Sequence, residues 1–142
     1  MNLEEIQNMW KEDSIIDPDN LHLESIKIPS LHSKYYNIHN HVTILKKAEE
    51  DKYKQIKFNR WQYYTGKVPA DDPKAQRCDH KVMKQDLDKY MDSDEDIRRI
   101  IAKLNYYDAM LDFLESILRT IKDRTYQIKN AIEFQKFIAG YS

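Results

Sequence analysis

Apolar residues recur along this chain at steps of three and four rather than two, which is the period of a helix. Leu3, Ile6, Met9 and Trp10 form one stripe, predicting a short amphipathic helix over about residues 2 to 12. Asp17-Pro18-Asp19-Asn20 reads as a turn, and residues 21 to 27 as a weak helical turn. Pro29 suits a first helical turn, where its missing N–H would lack a partner anyway. No proline or glycine follows until Gly66, so a long helix is expected from about Pro29 to Thr65. Its seam runs Leu31, Tyr35, Ile38, Val42, Leu45, Ile56 and Tyr63, and degrades to Glu49, Lys52 and Asn59 in its second half. Gly66 stands where a left-handed C-terminal cap belongs.

Residues 67 to 80 carry two prolines and no periodicity, which predicts a loop, ordered or disordered, before a short helix over about 81 to 90. Ser93 is the expected N-cap of a second long helix, with Asp94, Glu95 and Asp96 complementing its dipole. That helix holds the strongest pattern: Ile97, Ile100, Leu104, Tyr107, Leu111, Leu114, Leu118, Ile121, Thr125, Ile128, Ile132 and Gln135 alternate steps of three and four, as in a coiled coil. Ending near Gly140, it would span roughly 60 Å, more than a compact domain of this size is wide. Ile101, Met110, Phe113, Ile117, Tyr126, Phe134, Phe137 and Ile138 lie off the seam and supply a second apolar face. One face would cover the first helix and the other a second subunit, so an obligate homo-oligomer is expected. Its contact residues would be Leu111, Leu114, Leu118, Ile121, Ile128, Ile132, Phe134, Phe137 and Ile138; for seam positions such as Leu114 and Ile128, intrachain packing stays open as the other role. The fold class expected is all-α, with long antiparallel helices packed as in a coiled coil. It forms a single domain divided into 1–66, 67–92 and 93–142.

Composition removes several classes. Two glycines and four prolines cannot turn a many-stranded sheet, and they leave no glycine-rich phosphate loop for a Rossmann or P-loop enzyme. No run of about 18 apolar residues offers a transmembrane helix. Glu4 and Glu5 stand where a signal peptide is basic, and Cys78 has no partner for an internal disulfide, so a cytoplasmic setting is expected. Net charge is −1, but it is unevenly laid out. Residues 1 to 24 carry only Lys11 against Glu4, Glu5, Glu12, Asp13, Asp17, Asp19 and Glu24. Residues 46 to 67 carry Lys46, Lys47, Lys52, Lys54, Lys57, Arg60 and Lys67 against Glu49, Glu50 and Asp51.

This basic stretch is interleaved with Tyr53, Phe58, Trp61, Tyr63 and Tyr64. Cations for phosphates and flat rings for unpaired bases are what single-stranded nucleic acid requires. The other reading makes the rings core and the lysines a solvated face. The apolar seam weakens where these residues concentrate, which favours a face shaped for a ligand as well as for packing. Elsewhere, His39 and His41 are two apart and do not share a helix face. Cys78 and His80 lack a second ligand pair at zinc spacing, and the acids at 92 to 96 are accounted for by capping. No catalytic constellation is found, so no enzyme, metal or cofactor is expected.

Leu3-Glu4-Glu5-Ile6-Gln7, Arg60-Trp61-Gln62-Tyr63-Tyr64-Thr65-Gly66-Lys67, Leu111-Asp112-Phe113 and Ala139-Gly140 together resemble the UvsY recombination mediator family of large tailed bacteriophages. The resemblance covers nearly the whole chain, and its most specific piece is the basic-aromatic box. It implies binding of single-stranded DNA, contact with the phage single-strand-binding protein, and loading of the UvsX recombinase in recombination-dependent replication and repair. It further implies a ring-shaped homo-oligomer, hexamer or heptamer, in the cytoplasm of the infected bacterial host. In the family the box pairs a lysine with an arginine two residues later. Arg60 matches that arginine, whereas Phe58 occupies the lysine position; Lys57, one residue earlier, points about 100° away on a helix. The DNA-binding set implied here is Lys54, Lys57, Phe58, Arg60, Trp61, Tyr64 and Lys67, with the acidic segment Leu3 to Asp19 as a partner-docking surface. The alternative is a coiled-coil adaptor without nucleic-acid affinity.

Overall fold

A computed structural model describes residues 1–69, 71, 78 and 82–140, and every α-helix expected from the periodicity is present among them. The helices are α1 (Leu3–Asp13), α2 (Leu21–Ile26), α3 (Ile28–Thr65), α4 (Leu87–Ser93) and α5 (Glu95–Ile138), with a single 3₁₀ turn over Lys84–Asp86; no strand occurs among the described residues. Most of the loop expected over 67 to 80 lies outside the described residues. The short helix expected over 81 to 90 is instead a 3₁₀ turn over Lys84–Asp86 followed by α4 over Leu87–Ser93.

Caps explain the boundaries. The Asn2 side chain accepts from the Glu5 N–H at 2.8 Å while the Asn2 N–H reaches the Glu5 carboxylate at 3.3 Å, a reciprocal capping box that starts α1. Asp17 organises the following turn by accepting from the Asp19 N–H and from the Asn20 amide. At the end of α3, Gly66 adopts φ +69°, the Gly66 N–H reaches Tyr63 O at 3.4 Å and the Lys67 N–H reaches Gln62 O at 3.0 Å. These two bonds close the helix in a Schellman motif that an L-residue enters only with strain. Gly140, at φ +83°, follows the end of α5.

The chain divides into two compact units, Met1–Thr43 with Asp108–Ser142, and Ile44–Tyr107. The first is built on Ile6, Leu21, Tyr35, Val42, Met110, Leu114, Ile117, Ile121 and Ile128, all buried. The long seam is met at 114, 121 and 128, but between them Met110, Ile117 and Arg124 are buried, where Leu111 and Leu118 are half-buried and Thr125 is exposed. The stripe shifts by one residue after Tyr107 because α1 and α2 pack on this part of α5. Arg124 marks that packing. Its guanidinium donates to the carbonyls of Asp13 and Ser14, each at 2.9 Å, lies 3.9 Å from the buried Glu24 carboxylate, and covers the Trp10 ring at 5.9 Å. Carbonyls at the end of α1 carry the negative pole of its dipole, so a cation satisfies them. Trp10 also meets the buried Tyr35 edge-on at 5.4 Å, and Tyr35 donates to Asp13 at 2.7 Å. Leu114, Ile121 and Ile128, expected at an oligomer contact, are thus core of this unit, while Phe134, Phe137 and Ile138 are exposed.

In the second unit Ile97 and Ile100 are buried. Glu49, where the α3 seam had degraded, is buried too, and Lys103 at 2.9 Å and Lys52 at 3.3 Å neutralise it. Those two hydrogen bonds hold its carboxyl below the usual carboxylate range against a smaller opposing effect of burial.

Arg124→Met removes the donor to two helix-end carbonyls and one of the two cations beside Glu24, the other being Lys27 at 3.5 Å, while keeping most of the side-chain volume. Chemical denaturation should show a loss of about 3 kcal/mol, the range found when one member of a buried pair is deleted.

Candidate nucleic-acid interface

The second half of α3 separates the expected site residues into two groups. Arg60 and Tyr64 point to Asp94, one residue before α5. The Arg60 Nε donates to Asp94 Oδ2 at 2.6 Å and the Tyr64 hydroxyl to the same oxygen at 2.7 Å. Asp94 Oδ1 meanwhile accepts from the N–H groups of Asp96 and Ile97, at 3.0 and 3.1 Å. Asp94, not Ser93, is therefore the N-cap of α5; Ser93 ends α4. Burial opposes ionisation of this carboxylate, but the bonds from Tyr64 and Arg60 outweigh it and hold its pKa below the ordinary value. Burial likewise works against the Arg60 cation, and the bonds to Tyr64 and Asp94 more than restore it. The Tyr64 phenol is pushed up, by burial first and by the Asp94 carboxylate next. The Arg60 guanidinium also lies over the Tyr63 ring at 4.2 Å and the Tyr64 ring at 5.3 Å. Its side chain is 18% exposed, so the arginine expected to meet a phosphate is part of an internal clasp. This was hidden in the sequence because Asp94 lies 34 residues from Arg60.

The other group faces outward. Phe58 is 56% exposed and stacks on Trp61, with centroids 5.9 Å apart and planes within 17°. Lys54, Lys57, Phe58, Trp61 and Met91 line one open apolar concavity of about 310 Å³. The Lys67 ammonium covers the Trp61 ring at 4.8 Å, and that of Lys57 lies 5.7 Å from the Tyr53 ring. Phe58 and Arg60 are about 200° apart around a helix, which is why one can stack outside while the other is held inside. Five of the seven expected residues, Lys54, Lys57, Phe58, Trp61 and Lys67, thus form a surface on which the exposed Phe58 stacks on a half-buried Trp61 among cations. Such a surface can receive bases on its rings and phosphates on its ammonium groups.

A second concavity of about 460 Å³ in the same unit has an apolar floor of Ile56 and Ile100 and a rim carrying Lys52, Arg99 and Lys103. Lys52 and Lys103 are drawn to Glu49, and Arg99 lies 3.7 Å from Asp96, so its charges are largely balanced internally. No group of three or more His, Cys, Asp or Glu among the described residues is arranged to hold a metal, and His80 lies outside them. No helix among the described residues is long and apolar enough to cross a membrane.

An all-helical chain that presents stacked rings among lysines is of the class that engages unpaired nucleic acid. The comparisons agree with that class. A family model described as "Recombination, repair and ssDNA binding protein UvsY" matches residues 9–141. The recombination protein uvsY of Enterobacteria phage T4 is 30% identical over 140 residues, covering 99% of each chain. Two crystal structures of the bacteriophage T4 recombination mediator protein UvsY are similar, each with a TM-score of 0.87. One is 27% identical and covers 99% of both chains; the other is 26% identical and covers 96% of this chain and 99% of that one. The chain belongs to the UvsY family.

Asp94→Ala removes an N-cap and leaves Arg60 without its carboxylate, so at pH 7 a stability loss of about 3 kcal/mol is expected. The depressed carboxyl pKa sets the sign of the pH dependence. Its stabilisation is complete above the ordinary value of 3.8 and is lost as pH falls through the lower folded value. Thermal melts of wild type and variant should therefore differ most at neutral pH, and the difference should shrink only as pH falls below 3.8 and through the lower folded value.

Proposed function

We propose that this chain is a recombination mediator that binds single-stranded DNA through Lys54, Lys57, Phe58, Trp61 and Lys67. The observation that carries the reading is the outward Phe58–Trp61 stack with ammonium groups around it. The exposed Phe58 ring gains little from intrachain packing, and a base laid on it removes it from water. Phe58, where the family has a lysine, contributes stacking in place of a charge. Arg60 and Tyr64 act as positioning residues, holding the preceding turn of α3 so that the rings face outward.

One such patch binds weakly. A ring of subunits places several patches on one strand and raises the effective concentration of each. The exposed Tyr126, Phe134, Phe137 and Ile138 support assembly through the last turns of α5, with the half-buried Leu111, Leu118 and Ile132 as further candidates. Within the Ile44–Tyr107 unit, the pairs Glu49–Lys103 and Arg60–Asp94 support antiparallel packing of its parts of α3 and the chain entering α5, since one residue number rises as the other falls. In this reading a strand bent over the patches is held less firmly by the phage single-strand-binding protein and is presented to the UvsX recombinase in the host cytoplasm. The acidic face of α1 is the candidate docking surface for a protein partner. The chain itself turns over no nucleotide.

Fluorescence anisotropy with a labelled oligothymidine should show binding that weakens with salt. Phe58→Ala/Trp61→Ala should lose about 10- to 100-fold in affinity at unchanged oligomeric mass. Lys54→Ala/Lys57→Ala/Lys67→Ala should lower the salt slope by about 2, since each phosphate contact on a single strand contributes about 0.7. Absence of wild-type binding even at low salt would instead leave an oligomeric adaptor.

A further inference from the structure

We infer that α3 carries a second base-stacking platform, in the Met1–Thr43 and Asp108–Ser142 unit, formed by His32, Tyr36 and His39 and served by Arg119 and Lys122. It rests on the reading of the chain as a single-strand binder and adds a contact outside the basic-aromatic box. The three rings stand at helical steps of four and three, so they share one face. They are stacked in one column: His32 on Tyr36 at 5.6 Å with planes within 16°, and Tyr36 on His39 at 6.4 Å with planes within 6°. Tyr36 is 47% exposed and His32 is exposed as well. Packing of a core would turn such rings inward. Here the column stands at the surface with its faces parallel, the arrangement onto which a further flat ring adds.

Charge gives the column a direction. At one end, His39 lies 3.4 Å from the Glu115 carboxylate, which repels a phosphate. At the other, His32 lines a groove of about 630 Å³ whose wall from α5 includes Arg119 and Lys122 over an apolar floor of Leu118 and Ile121. Both cations are exposed, and neither forms an ion pair among the described residues. A base stacked at the His32 end would therefore have its phosphate beside two cations that no carboxylate among the described residues pairs with. Stacking tolerates any base, so the ligand class is single-stranded nucleic acid without sequence preference. Charge complementarity at this end favours a polyanion over a second copy of the chain.

The test uses the full chain and anisotropy titrations of two labelled strands of equal length, an oligothymidine and an abasic sugar-phosphate chain. His32→Ala/Tyr36→Ala should weaken oligothymidine binding about tenfold and leave abasic binding unchanged, because only the base contact is lost. His32→Phe/Tyr36→Phe should restore the affinity. Arg119→Gln/Lys122→Gln should weaken both strands and reduce the salt slope by about 1.4, at 0.7 per phosphate. Circular dichroism and sedimentation should show helix content and oligomeric mass unchanged in all three. Full oligothymidine affinity in His32→Ala/Tyr36→Ala, with loss in Phe58→Ala/Trp61→Ala, would overturn the platform and leave the proposed function standing. A changed oligomeric mass would assign the face to a second copy and overturn it too. No binding by wild type would sink both.

Discussion

Asp94 carries a negative charge at a site almost closed to water, and it is tolerated because four donors converge on its two oxygens. One oxygen takes the first free N–H groups of α5. The other takes the guanidinium of Arg60 and the hydroxyl of Tyr64. The same carboxylate thus starts one helix and fixes the rotation of the other about its axis. With that rotation set, Phe58, two positions before Arg60, faces outward and stacks on the half-buried Trp61. The outward Phe58–Trp61 stack is in this sense a consequence of a buried ion pair on another side of the same helix.

The Met1–Thr43 and Asp108–Ser142 unit uses the same device with the signs exchanged. Arg124 is a cation inside an apolar stripe, held by hydrogen bonds to the two carbonyls that end α1 and lying 3.9 Å from the Glu24 carboxylate. Buried pairs of this kind add modest net stability over an apolar replacement, because desolvating two charges offsets most of their attraction. Their effect is on orientation. A leucine at 124 would be content against many neighbours, whereas a guanidinium there requires acceptors at hydrogen-bond distance. α1 ends where those acceptors are supplied.

The helices were legible because their periodicity, caps and breakers are local: the Asn2 box, the Asp17 turn, Pro29 and Gly66 each act within a few residues. The basic-aromatic box was legible as a composition. Its division was not, since whether Arg60 meets a phosphate or a carboxylate depends on Asp94, far away in sequence. The seam of α5 has the helical period the sequence predicts, but after Tyr107 the buried stripe includes Met110, Ile117 and Arg124 in place of Leu111, Leu118 and Thr125. Leu111 and Met110 are equally apolar, and only the docking of α1 and α2 decides that Met110, Ile117 and Arg124 turn inward. Leu114, Ile121 and Ile128 belong to both stripes and were therefore ambiguous between core and subunit contact.

By itself, then, the sequence determined the number and approximate bounds of the helices, the lack of glycine for a phosphate loop, and the concentration of rings and cations in one segment. These are properties of neighbours along the chain, set by backbone geometry and by which side chains recur every three or four residues. The tertiary structure alone decided which way each helix is turned, which charges are consumed internally, and which rings are left in water. Those outcomes depend on pairing groups from distant segments, since a buried charge must find its partner wherever the fold supplies one.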